Sequence, residues 1–307
     1  MIVRPREAHS VTTLLFAMKG SIVPAIWPRV LYTVLLSLAV VFAERRGLVL
    51  HFTLEAGLLT LLGLTLAIFL GFRNTVAYQR WWEGRILWGD LVIATRNLTR
   101  QTVSFMPSLP ELERKQLIRS VIGFVHALRH HLRGTSSDKD LQQWLSPADY
   151  AVALASPNRP NVVLGALGQA YAESAKVIGL DSILLSSMDR ELSQLSHVLG
   201  GCERIRNTPI PFAYILLLHR TVHIYCFILP FCLIGPLGWF TPVAVGILAY
   251  TFFGLDAIGT EIEDPFDLLA NDLPLDALSR VIEINLLSLL GETDLPAPLQ
   301  PKDYVLS

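Results

Sequence analysis

Four runs of about twenty mostly apolar residues, at 25–43, 52–72, 212–234 and 239–258, dominate this 307-residue chain. Each is close to the roughly 20 residues that an α-helix needs to cross a hydrocarbon core. Charge is sparse inside them: Arg29 is alone in the first run and Glu55 in the second, each close to the start of its run. The whole chain is 52% hydrophobic and 17% charged, against about 45–50% and 25% for a soluble globule. A membrane protein with two helical hairpins follows. A formal net charge of -1 disfavours a nucleic-acid binder, which needs a basic face to neutralise phosphates. Three cysteines, Cys202, Cys226 and Cys232, read as buried thiols rather than a disulfide framework or zinc site.

Basic residues set the expected orientation. Arg73, Arg80, Arg85, Arg96 and Arg100 follow the second run, Arg204 and Arg206 precede the third, and Arg4, Arg6 and Lys19 lie near the amino terminus. Four spans put all of these on the cytoplasmic side of a cell inner membrane, with both termini cytoplasmic. Arg45 and Arg46 are the opposing signal. The expected organisation is a cytoplasmic segment (1–24), a first hairpin (25–72), a helical cytoplasmic domain (73–211), a second hairpin (212–258), an acidic segment and helix (259–291) and a proline-rich tail (292–307). Within the cytoplasmic domain, Val121, Phe124, Val125 and Leu128 recur at helical spacing, and Asp181 is placed to cap a helix running through Leu192 and Leu195. The fold class is thus all-α, with four transmembrane helices continuous with a helical cytoplasmic domain.

Sites for covalent chemistry are scarce. His126 and His130, and His219 and His223, are spaced four apart, which can present two ligands to one metal, but no third ligand is close in sequence. Polar groups packed against each other or facing water is the better reading. No glycine-rich phosphate loop, nucleophile elbow or catalytic-cysteine pattern is present, so the chain reads as no enzyme. Glu261, Glu263, Asp264, Asp267, Asp272 and Asp276 offer hard oxygen ligands without the spacing of a known calcium loop. A solvated junction between two helices explains them more simply.

On the second run, Leu64, Ile68 and Phe72 recur every four residues and form one stripe. Around a symmetry axis such a stripe becomes stacked apolar rings, which gate by dewetting. The competing expectation is that it faces lipid or packs on the first run.

The runs Gly71-Phe72-Arg73-Asn74, Ala77-Tyr78-Gln79-Arg80-Trp81-Trp82-Glu83-Gly84-Arg85 and Leu87-Trp88-Gly89, supported by Gly200-Gly201-Cys202-Glu203-Arg204-Ile205 and Thr208-Pro209-Ile210-Pro211, strongly resemble the bestrophin family, in its bacterial branch. The resemblance covers about residues 25 to 290 and implies a homopentameric ion channel in a lipid bilayer, passing small monovalent ions along one axial pore. It places the narrow neck at Leu64, Ile68 and Phe72, and a second constriction in the window 183–188. Glu261, Asp264 and Asp272 fall on the family's calcium-clasp positions, beside Asp264-Pro265-Phe266, but Leu269 stands where a coordinating aspartate is expected. Calcium-independent opening, without a cofactor, is the expectation. Bacterial members imply cation conduction and animal members chloride. A secondary transporter or a membrane-anchored scaffold are the remaining classes, and Pro230 and Pro236 are the only hint of a broken transporter helix.

Overall fold

The computed structural model describes residues 18, 20–47, 56–302 and 304–306. Arg4, Arg6, Lys19 and Glu55 lie outside them. The described helices, in chain order, are α1 (Val23–Arg45), α2 (Ala56–Phe105), α3 (Glu111–Arg133), α4 (Asp138–Trp144), α5 (Pro147–Leu154), α6 (Arg159–Ile178), α7 (Ser182–Asn207), α8 (Phe212–Leu237), α9 (Thr241–Glu263) and α10 (Leu275–Leu289). Among the described residues three helical stretches are long and apolar enough to cross a membrane: Val23–Arg45, Leu59–Phe105 and Phe212–Glu263. The last holds both α8 and α9 with a 3₁₀ turn, Gly238–Phe240, between them. The chain divides into two compact units, one made of the chain up to Trp81 with Pro209–Asp264, the other of Trp82–Thr208 with the stretch from Pro265 onward. The 50-residue α2 contributes to both.

In the first unit α1, the early turns of α2, α8 and α9 share a core of Ile26, Leu66, Leu70, Val222, Leu229, Val245 and Phe253. Five threonine hydroxyls on these apolar helices are satisfied locally, as a bilayer supplies no water. Thr33, Thr65, Thr75, Thr221 and Thr251 each donate to the carbonyl four residues earlier. The joint expected at 235–238 narrows to its last residue. Helix α8 runs through Pro236 to Leu237, and the chain reverses at Gly238, whose φ of 50° favours glycine. Thr241 Oγ1 closes the turn by donating to the Gly238 carbonyl at 2.7 Å.

The second unit is built on α3, whose Ile118, Val121, Ile122, Phe124, Val125 and Leu128 are buried. Asp181 caps α7 by accepting the Ile183 N–H at 2.8 Å, and Met188, Leu192 and Leu195 point inward. The Tyr171 hydroxyl meets Thr102 Oγ1 at 2.7 Å, linking α6 to α2. Cys202 is buried as a free thiol, as is Cys226 in the other unit, while Cys232 is partly covered.

Polar contacts also join α3, α4 and α10. Asp140 Oδ2 lies 2.6 Å from Arg129 Nη2 and 2.9 Å from His130 Nε2, and Arg133 reaches Asp276 at 2.6 Å. His126 stands 3.5 Å from both Asp140 and Glu283. The Arg129 guanidinium also stands 2.7 Å from His130 Nε2, a cation beside one of the two histidines spaced four apart. The hydrogen bond from His130, helped by His126 and Arg129 nearby, lowers the Asp140 carboxyl to about 2. A depressed carboxyl stabilises the fold above its unfolded value near 4, and that contribution is lost as pH falls towards 2. Asp140→Asn should cost about 1–2 kcal/mol at pH 7, discounted for partial exposure. Thermal unfolding at a series of pH values should show the gap between variant and parent closing between about pH 4 and 2.

Candidate pore helix and its buried charge network

Within the first unit, α2 has two distinct faces. Leu66, Leu70, Arg73 and Ala77 are buried, at the spacing that keeps side chains on one side of a helix. The other side is open: Leu64, Ile68 and Phe72 are 58%, 49% and 62% exposed, with Leu61 and Val76 continuing the strip. The stripe is therefore not covered by α1 or any other described part of the same chain. Its length from Leu64 to Phe72 is about 12 Å at the rise of an α-helix.

Arg73 lies on the opposite side and is fully enclosed. A guanidinium there is tolerable only with dense pairing. Arg73 Nη1 donates to Asp256 Oδ1 at 2.7 Å and to the Asp256 carbonyl at 3.2 Å, while Nη2 donates to Thr260 Oγ1 at 2.7 Å. Glu263 Oε2 adds charge at 3.7 Å. The carboxylate of Asp256 is shared, since its Oδ2 accepts from His219 Nδ1 at 2.9 Å. Glu263 Oε1 accepts the Ile210 N–H at 3.2 Å. Arg80 extends the network two turns on, donating from Nε to the Glu263 carbonyl at 2.9 Å and reaching Asp264 at 3.7 Å. Helices α2, α8 and α9 are thereby fixed together by side chains from each.

Asn74 shows how close α2 and α9 approach. A Cβ added at Gly259 would sit 2.2 Å from Asn74 Oδ1, so only glycine fits without displacing it. The remaining motif residues divide between the two units. Trp81 stacks on Tyr78 with ring centroids 6.1 Å apart. In the second unit Glu83 pairs with Arg204, Trp82 and Arg85 are exposed, and Trp88 is fully buried.

The clasp residues meet other partners. Asp264 is exposed and pairs with Arg80, whereas Asp272 is buried and its Oδ2 accepts the Leu269 N–H at 2.6 Å. Glu261 sits in the last turn of α9 and Leu269 is exposed. Among the described residues no group of three or more His, Cys, Asp or Glu side chains is arranged to hold a metal ion. Sequence reasoning missed Asp256 and Thr260, and assigned Glu263 to a solvated cluster. The available signal was Asp256 itself, an acid inside an apolar run, which requires an intramembrane partner. In the window 183–188 the structure separates the candidates: Met188 is buried, while Ile183, in the first turn of α7, is 77% exposed.

Apolar helices of membrane length, a buried arginine held through both terminal nitrogens behind an open apolar stripe and a separate helical unit define a helical membrane protein. The sequence model described as "Bacterial/Fungal Bestrophin protein" matches residues 1–288, and the chain belongs to that family. It is 42% identical over 298 residues to a voltage-dependent anion channel-forming protein of Mesorhizobium japonicum, covering 95% of this chain and 93% of the relative. It is 41% identical over 303 residues to a voltage-dependent anion channel-forming protein of Escherichia coli K12, covering 98% of each. The fold matches the crystal structure of a bacterial bestrophin homologue from Klebsiella pneumoniae with a TM-score of 0.83 at 39% identity, over 87% of this chain and 99% of that one. These relationships point to an ion channel rather than an enzyme.

Replacing Asp256 by Ala should leave the Arg73 guanidinium buried without its carboxylate and cost about 3–5 kcal/mol. Thermal unfolding of the detergent-purified protein would register this as a large loss of midpoint. Arg73→Lys should be intermediate, because a lysine lacks the fork that serves Asp256 and Thr260 together.

Proposed function

We propose that this protein is a homopentameric bestrophin-type channel in the cell inner membrane, with four spans, cytoplasmic termini, and a neck formed by Leu64, Ile68 and Phe72. The observation that carries this is the open stripe on α2. Three large apolar side chains left exposed along about 12 Å of helix become three stacked rings when five copies surround an axis. Such rings pass small monovalent ions only at the cost of stripping water, and gate by wetting. Ile183, the exposed apolar residue of its window, supplies the second constriction.

The neck is uncharged, so it selects neither sign. Selection for cations is supported by Asp181, which is exposed and capped onto the same helix turn as Ile183; a ring of carboxylates beside a constriction favours cations. Anion conduction is the second reading, favoured by the names of the relatives from Mesorhizobium and Escherichia. Opening is calcium-independent, because Leu269 replaces a hard ligand and both Asp264 and Asp272 are engaged by other groups.

Planar-bilayer recording under a KCl gradient tests these statements together. The parent should reverse towards the potassium potential, unchanged by chelator, and Asp181→Asn should move the reversal towards zero. Replacing Leu64, Ile68 and Phe72 together by Ala should raise conductance severalfold. Reversal towards chloride would establish the anion reading, current abolished by chelator would establish calcium dependence, and absence of current in parent and triple variant would sink the channel.

A further inference from the structure

Arg29 has no counterpart to the network around Arg73. It is half-buried in the second turn of α1, and its guanidinium forms no hydrogen bond or ion pair among the described residues; only its carbonyl is engaged, by Thr33 Oγ1 at 2.8 Å. The side chain lines a cavity of about 260 Å³ between α1, α8 and α9. Tyr32 and Thr33 line it from α1, His223 and Phe227 from α8, and Phe253 from α9. His223 is oriented by donating from Nδ1 to the His219 carbonyl at 2.7 Å, and it meets the Phe253 ring edge-on at 5.0 Å. A cation with no acid beside it among the described residues thus borders a pocket with aromatic walls.

The level of this pocket in a bilayer can be fixed from side chains. Arg29 is about 9 Å along α1 from Val23, by helix rise, within reach of the headgroup region for a long cationic side chain. Trp27, two residues earlier, is 55% exposed, as befits an indole at the membrane interface. Leu31 and Leu35, one and two turns after Pro28 at the cavity's edge, leave an exposed apolar track along α1. At that level the abundant anions are lipid phosphates, and a guanidinium fork matches a phosphate better than any other side chain does.

We propose that this cavity is a binding site for the headgroup of a net-anionic phospholipid, its phosphate on Arg29 and its acyl chain along Leu31 and Leu35. Net-anionic lipids are preferred over zwitterionic ones because the arginine has no acid to balance it among the described residues, and the tethered amine of a zwitterionic headgroup adds a second cation beside it. The site is separate from the pore stripe and does not rest on the ion that the channel carries.

The test is native mass spectrometry of the purified full-length protein after exchange into detergent containing equal amounts of phosphatidylglycerol and phosphatidylcholine. The parent should retain phosphatidylglycerol severalfold over phosphatidylcholine. Arg29→Gln should abolish that preference and Arg29→Lys should restore part of it. Phe227→Trp, which keeps the arginine and fills the cavity, should weaken retention, and it decides the matter if Arg29→Gln does not fold. Inorganic phosphate should not displace the lipid at millimolar concentration. Equal retention of the two lipids by the parent, an unchanged preference in Arg29→Gln or in Phe227→Trp, or full displacement by free phosphate would each overturn the assignment.

Discussion

The Arg73 guanidinium sets the rotation of α2, and the exposed stripe is a consequence. Its bonds to Asp256 and Thr260 allow one azimuth only. At about 100° per residue, Leu64 then stands about 180° from Arg73 around the helix, with Ile68 and Phe72 about 140° and 100° away. A helix that is apolar nearly all round has no preferred face by hydrophobicity alone. One buried ion network therefore does what amphipathic patterning does in a soluble helix, and it leaves the residues opposite it uncovered. The cost of enclosing a guanidinium is offset because every contact is directed at α9, and His219 of α8 takes the remaining carboxylate oxygen.

Much of the fold was legible because bilayer helices carry a coarse signal. The apolar runs marked α1, α8, α9 and the start of α2, and the Asp181 cap marked α7. Continuity of the membrane helices with the cytoplasmic domain was also legible, but not the residue at which a helix stops. The second run ends at Phe72 in hydropathy, yet α2 continues to Phe105, since the change at Arg73 is one of polarity and nothing after it breaks the backbone. Charge there marks a change of surroundings and not the end of a helix. The joint expected at 235–238 contains the reversal, at Gly238, but was drawn too early for a related reason. Proline late in a helix removes one N–H, which the last turn of α8 accommodates, whereas the reversal needs the positive φ of Gly238.

The site residues split along the same line. Leu64, Ile68 and Phe72 could be found by period, since they lie on one helix and need no partner. The partners of Arg73 could not, because Asp256 and Thr260 are more than 180 positions away in sequence, and only the meeting of α2 and α9 selects them from the neighbouring acids. Glu263 looks inward while Asp264, the next residue, is exposed, a distinction that acidic clustering in sequence cannot carry. Gly259 belongs to this group: its value lies in the absence of a Cβ beside Asn74, which has no meaning until the helices touch.

Position 72 and position 73 are adjacent, and this restricts how such a neck changes diameter. Turning α2 far enough to withdraw Phe72 would pull Arg73 from Asp256 and Thr260, and breaking a buried pair of this kind costs about 3–5 kcal/mol. Moving Phe72 about its own side-chain torsions costs about 0.5–1.5 kcal/mol for a departure from a favoured rotamer. Its ring is exposed on the protomer, so no neighbour in the same chain opposes the motion. The cheaper coordinate is therefore the side chain, with the backbone of α2 held still by the charges behind it. In the proposed neck, aliphatic Leu64 and Ile68 and one aromatic ring then differ in kind between levels. The β-branched Ile68 is stiff at its first torsion, and the adaptable level is the one that adjoins the arginine.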